Sequence, residues 1–132
     1  MGEFVDAYQK IASEGDEIIS IHITSKLSGT FNSATQAAAQ LKDQVKVHVI
    51  DTANVSCTIA YSAIAAAESI KNGSSVEEAI EIAKSVAERG HFYALFDTLE
   101  YLAKGGRIGK ACLLYTSPSP RDLSTSRMPS SA

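Results

Sequence analysis

The stretch Ile18-Ile19-Ser20-Ile21-His22-Ile23-Thr24-Ser25-Lys26-Leu27-Ser28-Gly29-Thr30-Phe31-Asn32-Ser33-Ala34-Thr35-Gln36-Ala37-Ala38-Ala39 changes character twice. Its first residues are apolar and β-branched. The middle is a short loop carrying the four hydroxyls of Thr24, Ser25, Ser28 and Thr30 together with Gly29. The last part is rich in alanine and, beyond Gly29, free of glycine and proline. This pattern predicts strand, loop and helix. The first N–H groups of a helix have no internal partners, and the helix dipole places partial positive charge there. A hydroxyl-rich loop at that point can hold a carboxylate or a phosphate. From the loop alone, ordinary capping is the simpler account: Ser28 as N-cap accepting from the Phe31 backbone, with Gly29 permitting the turn.

Outward from this stretch the alternation continues. Residues 3–14 read as a helix, with Phe4, Val5, Tyr8, Ile11 and Ala12 on one face and Gly15 beyond its end. Glu17–Ile23 is the first strand, Ser28–Leu41 the following helix, and Val45–Ile50 the second strand, with Asp51-Thr52 at its carboxyl end. A helix is predicted from Thr58 to Lys71 through Ala60, Ile64, Ala67 and Ile70, ended by Asn72-Gly73. The next helix, stopped by Gly90, carries Ile80, Ile82, Ala83 and Val86 inside. Ser74 or Ser75 can open it in a capping box with a glutamate three residues on. His91–Phe96 reads as a third strand, and Asp97-Thr98-Leu99-Glu100 as a second capping box starting a short helix before Gly105-Gly106. The expected fold class is α/β: a parallel sheet covered by helices. In such folds ligands sit at the carboxyl ends of strands, here Thr24–Thr30, Asp51–Thr52 and Asp97–Thr98.

Composition narrows the function. The chain has 132 residues, 45% hydrophobic and 20% charged, enough for one domain with a core. No apolar run approaches a membrane span. The acidic, helical start does not resemble a signal peptide. Net charge is −3, and the tail after Lys110 contributes +1, so the body carries −4. An acidic body is not a nucleic-acid footprint. Cys57 and Cys112 match no metal or redox spacing, so free thiols are expected. Gly105-Gly106-Arg107-Ile108-Gly109 lacks the dinucleotide spacing and follows a helix. No nucleophile–base pair, metal cluster or cofactor loop has local support, so neither catalysis nor a cofactor is expected. His22 and His48 read as ordinary sheet histidines, and His91 as solvent-facing. Asp51 and Asp97 could serve as general bases, but capping explains both. Arg107, on a Gly-Gly turn, suits an anion or a partner protein; as a plain solvated arginine it needs no function.

The end of the chain departs from this pattern. Pro118, Pro120 and Pro129 all follow residue 116, and six of the last sixteen residues are serine. Disorder is expected over Thr116–Ala132.

The segment Ser20–Ala34, containing Leu27-Ser28-Gly29-Thr30, resembles the SxLSGTxxSA segment of the DegV family. Val49-Ile50-Asp51-Thr52 resembles that family's next strand end. Phe96-Asp97-Thr98-Leu99-Glu100-Tyr101-Leu102-Ala103-Lys104-Gly105-Gly106-Arg107-Ile108 resembles its DTLEYLxKGGRI signature. The resemblance covers residues 3 to 111 and implies a bacterial, cytoplasmic protein that holds one long-chain fatty acid between two α/β domains. Some members present the carboxylate to a separate fatty acid kinase; the binding protein itself does no chemistry. Ser28 then maps to the carboxylate contact, and Arg107 to the opening of the site or to kinase docking. The ligand-binding set expected here is Ser25, Ser28, Gly29, Thr30 and Arg107, with no catalytic or metal-binding residue. The alternative is a hydrolase or transferase acting on a small carboxylated or phosphorylated substrate at the same strand ends, with Asp51 or Asp97 as base.

Two features of the family are missing from the sequence: an opening strand with Asp-Ser followed by a Thr-Ser-Gln-Pro loop, and the half that follows GGRI. In its place Ala111 leads to Cys112-Leu113-Leu114-Tyr115-Thr116-Ser117-Pro118-Ser119-Pro120, which resembles translated vector or adapter sequence. Residues 1–111 are therefore expected to be a partial DegV-like domain, and residues 112–132 a disordered, foreign-looking tail.

Overall fold

A computed structural model describes residues 2–13 and 15–108; the expected tail, 112–132, lies outside the described residues, as does Cys112. The elements are α1 (Gly2–Ile11), β1 (Glu17–His22), α2 (Thr30–Gln40), β2 (Lys46–Asp51), α3 (Cys57–Lys71), α4 (Val76–Arg89) and α5 (Glu100–Lys104). The chain divides into two units between Tyr93 and Ala94; α5 belongs to the second.

In the first unit β1 and β2 pair in parallel, with Glu17 opposite Lys46 and His22 opposite Asp51. Side chains alternate along each strand, so the pair has two distinct faces. Ile19, Ile21 and Ile50 pack with Ala66, Ala79, Ala83 and Ile80 beneath α3 and α4. Ile18 and Val47 pack with Phe4, Val5, Tyr8, Ala37, Ala38 and Leu41 beneath α1 and α2. Helices on both faces of a parallel pair give the α/β class the sequence predicts.

The helix interfaces are built from small residues. α4 buries Ala79, Ala83 and Ala87, leaving Ile82 exposed, whereas the sequence reading placed Ile82 inside. α3 buries Thr58, Ser62, Ala66 and Ser69, while Tyr61, Ile64 and Ile70 face outward. The apolar stripe read through Ala60, Ile64 and Ile70 is therefore not the buried one. Small side chains let the two backbones approach: a Cβ on Gly90 would meet Thr58 Cγ2 at 2.4 Å. Of the two serines that could open α4, Ser75 does so, in a full capping box with Glu78.

His91–Phe96 is not a strand. Its residues are exposed, Leu95 fully so at 101%. The apolar run has the composition of a strand, but a strand also needs a ladder partner, and among the described residues the sheet holds β1 and β2 alone. The second capping box is also absent. Leu99 occupies the N-cap of α5 without a side-chain bond, and Thr98 Oγ1 accepts from the Glu100 amide instead.

The α1-facing side of β1 is polar where strand composition predicted nothing special. Tyr8 Oη lies 2.7 Å from Ser20 Oγ, and Ser20 Oγ lies 2.7 Å from His22 Nε2. The Phe4 ring meets the His22 imidazole edge-on at 5.3 Å. All three members of this chain are buried. Burial lowers the His22 pKa below its ordinary value of 6.5, and Asp51, its register partner, only partly opposes this. Below 6.5 the unfolded chain thus binds protons that the folded chain refuses. His22 burial contributes no penalty above that value and destabilises progressively as pH falls toward the folded pKa. The urea midpoint is expected to fall between pH 7.5 and 5.5, and His22→Gln to flatten that fall; equal slopes in the two proteins would remove His22 as the cause.

Candidate functional site

At the carboxyl end of β1 the chain turns from Thr24 to Gly29. Thr24 is buried, and its carbonyl accepts from the amides of Leu27 at 3.1 Å and Ser28 at 3.2 Å. This makes a tight turn that delivers Gly29 to the N-cap of α2. The expected cap by Ser28 is not made: α2 begins at Thr30, and no side chain caps it. Ser28 Oγ instead lies 2.7 Å from Thr30 Oγ1 and accepts from the Thr30 amide at 3.3 Å. The physical reason is position. With Gly29 at the cap, Ser28 sits one residue too early to reach the amides a capping side chain serves. Among the described residues, the backbone N–H groups of Gly29, Phe31 and Asn32 have no protein acceptor. Open donors, a hydroxyl pair and the positive end of α2 therefore converge at one place. Such an arrangement suits an oxyanion. Ser25 and Gly29 are exposed, and Ser28 and Thr30 half-buried, so the place is accessible.

The neighbouring β2–α3 loop holds this turn in place. Asp51 Oδ2 accepts the Ser25 amide at 3.1 Å, and Oδ1 accepts the Ala53 amide at 2.8 Å. The Thr24 amide donates to Asn54 O at 2.9 Å, and Thr52 donates to His22 O from both its amide and its hydroxyl. Asn54 Nδ2 reaches Ala87 O near the end of α4 at 2.8 Å. Ala53 and Ser56 adopt positive φ, 52° and 56°, a conformation that L side chains take only when surrounding bonds hold it. Burial tends to raise the Asp51 pKa, but hydrogen bonds from Ser25 and Ala53, with the charge of Lys26, outweigh it and hold the carboxyl below its usual range. Asp51 is thus an anion with both oxygens engaged, which suits a structural acceptor better than a general base.

Four of the five expected ligand residues, Ser25, Ser28, Gly29 and Thr30, share this one loop. Arg107 lies in the second unit, exposed, with Nη1 donating to Gly105 O at 2.7 Å. Asp97 is also there and exposed. The sequence reading missed the role of Asn54: nothing in a lone asparagine after a strand signals a bond to a helix 33 residues on. It also missed an apolar groove of about 400 Å³ lined by Ile19, Ile21, Ala63, Ala66, Ala67 and Ile70. That groove lies on the α3 side of β1, and Ile21 is three residues before Thr24. Among the described residues no group of three His, Cys, Asp or Glu is placed to hold a metal, and no helix is long and apolar enough to cross a membrane.

A parallel strand pair covered by helices on both faces places the chain in the α/β class, in which ligand sites lie at the carboxyl ends of strands. The particular family follows from comparison: the model of the DegV family, described as uncharacterised protein, matches residues 1–116, and the chain belongs to that family. A DegV domain-containing protein of Streptomyces coelicolor is 40% identical over 115 residues, covering 86% of this chain and 40% of the relative. One from Listeria monocytogenes is 40% identical over 111 residues, covering 83% and 39%. The chain thus spans about two-fifths of the length of these relatives. Among solved structures, the Bacillus subtilis DegV, described as a fatty acid binding protein, superposes with TM-score 0.72 at 32% identity, covering 89% of this chain and 42% of that one. A Eubacterium eligens DegV family protein loaded with heptadecanoic acid superposes with TM-score 0.65 at 27% identity, covering 83% and 41%.

Proposed function

We propose that this chain supplies the carboxylate-binding part of a long-chain fatty acid carrier of the bacterial cytoplasm. The observation that carries the reading is the uncapped start of α2, where among the described residues the Gly29, Phe31 and Asn32 amides have no protein acceptor and the mutually bonded Ser28–Thr30 hydroxyl pair adjoins them in the chain. It is supported by the fatty acids named for the similar structures. In this reading Ser28, Gly29 and Thr30 take the carboxylate, and Ser25 sets the edge of the loop. The apolar groove along Ile19 and Ile21 forms part of the wall along the acyl chain. The carboxylate is then offered to a separate fatty acid kinase, with Arg107 at the docking face. The carrier itself performs no chemistry. The enzyme reading has less behind it, because the Asp51 oxygens already accept two amides and Asp97 is a lone exposed carboxylate.

A chimera tests the proposal within a complete fold: residues 17–108 of this chain replace the matching segment of the Bacillus subtilis protein. The purified chimera is expected to carry extractable fatty acid and to bind oleate. Ser28→Ala in that chimera removes a hydrogen bond to a charged group, so oleate affinity is expected to drop about tenfold to a hundredfold. An unchanged affinity would remove Ser28 from the site, and a folded chimera that binds no oleate would overturn the carrier reading.

A further inference from the structure

We propose that Asp51 is a positioning residue for the carboxylate loop: its two oxygens pin the Ser25 and Ala53 amides and so hold the Thr24–Thr30 turn in its binding shape. The inference rests on the reading of that turn as a carboxylate site. Its grounds are geometric. Asp51 is the last residue of β2 and stands opposite His22, the last residue of β1. From there one oxygen reaches forward to its own loop at Ala53, 2.8 Å away, and the other reaches across to Ser25, 3.1 Å away. The loop that Asp51 opens is itself fixed: Asn54 bonds Thr24 N through its carbonyl and Ala87 O through its side chain. Ala53 and Ser56 hold positive φ within this frame.

The arrangement has a consequence that runs against simple electrostatics. A carboxylate beside an anion site repels the ligand, so neutralising it should tighten binding if charge alone mattered. If Asp51 positions the loop, neutralising it should weaken binding. An asparagine offers a single acceptor oxygen, so one of the two amides loses its partner.

The test has two arms. In this chain, amide exchange by NMR is compared between the parent and Asp51→Asn. Exchange at Ser25 or Ala53 is expected to speed up about tenfold, the loss of one charge-assisted hydrogen bond, while amides inside α2 and α4 keep their rates. No change, or an equal rise at every amide, would overturn the positioning role. Asp51→Ala serves as the stronger variant where it folds, and Asp51→Asn decides where it does not. In the chimera, Asp51→Asn is expected to weaken oleate binding about tenfold while leaving oleyl alcohol, which lacks the carboxylate, unchanged. Tighter oleate binding, unchanged oleate binding, or an equal loss for both ligands would overturn the proposal. A parent chimera that binds neither ligand would count against the carrier reading, and the exchange arm would still decide whether Asp51 holds the loop.

Discussion

In parallel calorimetric titrations, this chain is expected to bind oleate about ten-thousandfold more weakly than the full-length Bacillus subtilis relative. The figure follows from burial. A long acyl chain gains about 0.8 kcal/mol per methylene removed from water, or on the order of 12 kcal/mol for ~15 carbons before the costs of association. This chain spans 42% of that relative, and its own apolar groove is lined by six residues of β1 and α3 alone. If half of the methylenes stay in water, about 6 kcal/mol is lost, a factor of ten thousand or more. In the proposed reading the polar loop would not compensate, because a carboxylate gives up strong hydration to enter it; the loop would choose the orientation and the acyl chain would supply the affinity. Submicromolar binding by the isolated chain would mean that the groove along Ile19 and Ile21 buries the whole acyl chain by itself.

Leu41→Ala is expected to cost about 2–5 kcal/mol, the range for emptying a buried leucine site. Leu41 is 2% exposed and is among the largest fully buried side chains. It closes the cluster of Tyr8 and Ala37 that fastens both α1 and α2 to the strands. Its neighbours Phe4, Val5, Tyr8, Ile18 and Val47 belong to α1 and the two strands, so filling the cavity would require these elements to shift. Domains of this size hold only about 5–15 kcal/mol in total, so the variant should be largely unfolded in mild urea. Leu95→Ala, at a fully exposed residue, should move the urea midpoint by no more than about 0.5 kcal/mol in equivalent free energy. A Leu41→Ala midpoint as close to the parent as that of Leu95→Ala would show that α1 and α2 are held by other contacts.

The sequence made the core of the architecture readable, because β1, α2, β2, α3 and α4 each carry their own period and stop signals. Most element ends moved by one or two residues, as with β2, which runs Lys46–Asp51, while the first helix, read over 3–14, stops three residues early at Ile11. What local pattern could not supply was partnership. His91–Phe96 has the composition of a strand, but whether an extended run pairs depends on a neighbour that its own residues do not encode. The same holds for His22. Alternation along β1 says which face it takes, but the Tyr8 hydroxyl that completes its hydrogen-bond chain comes from a helix twelve residues before Ser20. At the loop, the motif Leu27-Ser28-Gly29-Thr30 located the candidate site. The choice between a capped and an open helix start turned on a one-residue shift of the cap from Ser28 to Gly29, which residue types alone leave undetermined. On α3 the longest apolar residues point outward. Packing against α4 there is set by how closely two backbones can approach, and hydrophobic spacing does not report that.

If the turn after β1 holds the ligand as proposed, the bonds that tie it to the loop after β2 would make occupancy and sheet pairing a single equilibrium. The Thr24 amide on Asn54 O and the Ser25 amide on Asp51 Oδ2 exist only while the two strands lie side by side. A ligand that needs the turn in this shape therefore binds only the paired sheet. At a hundred times its dissociation constant it would add about 2.7 kcal/mol to the stability of the whole unit. The cargo of such a carrier would then act as part of its fold, with the empty and loaded proteins differing in how readily they come apart.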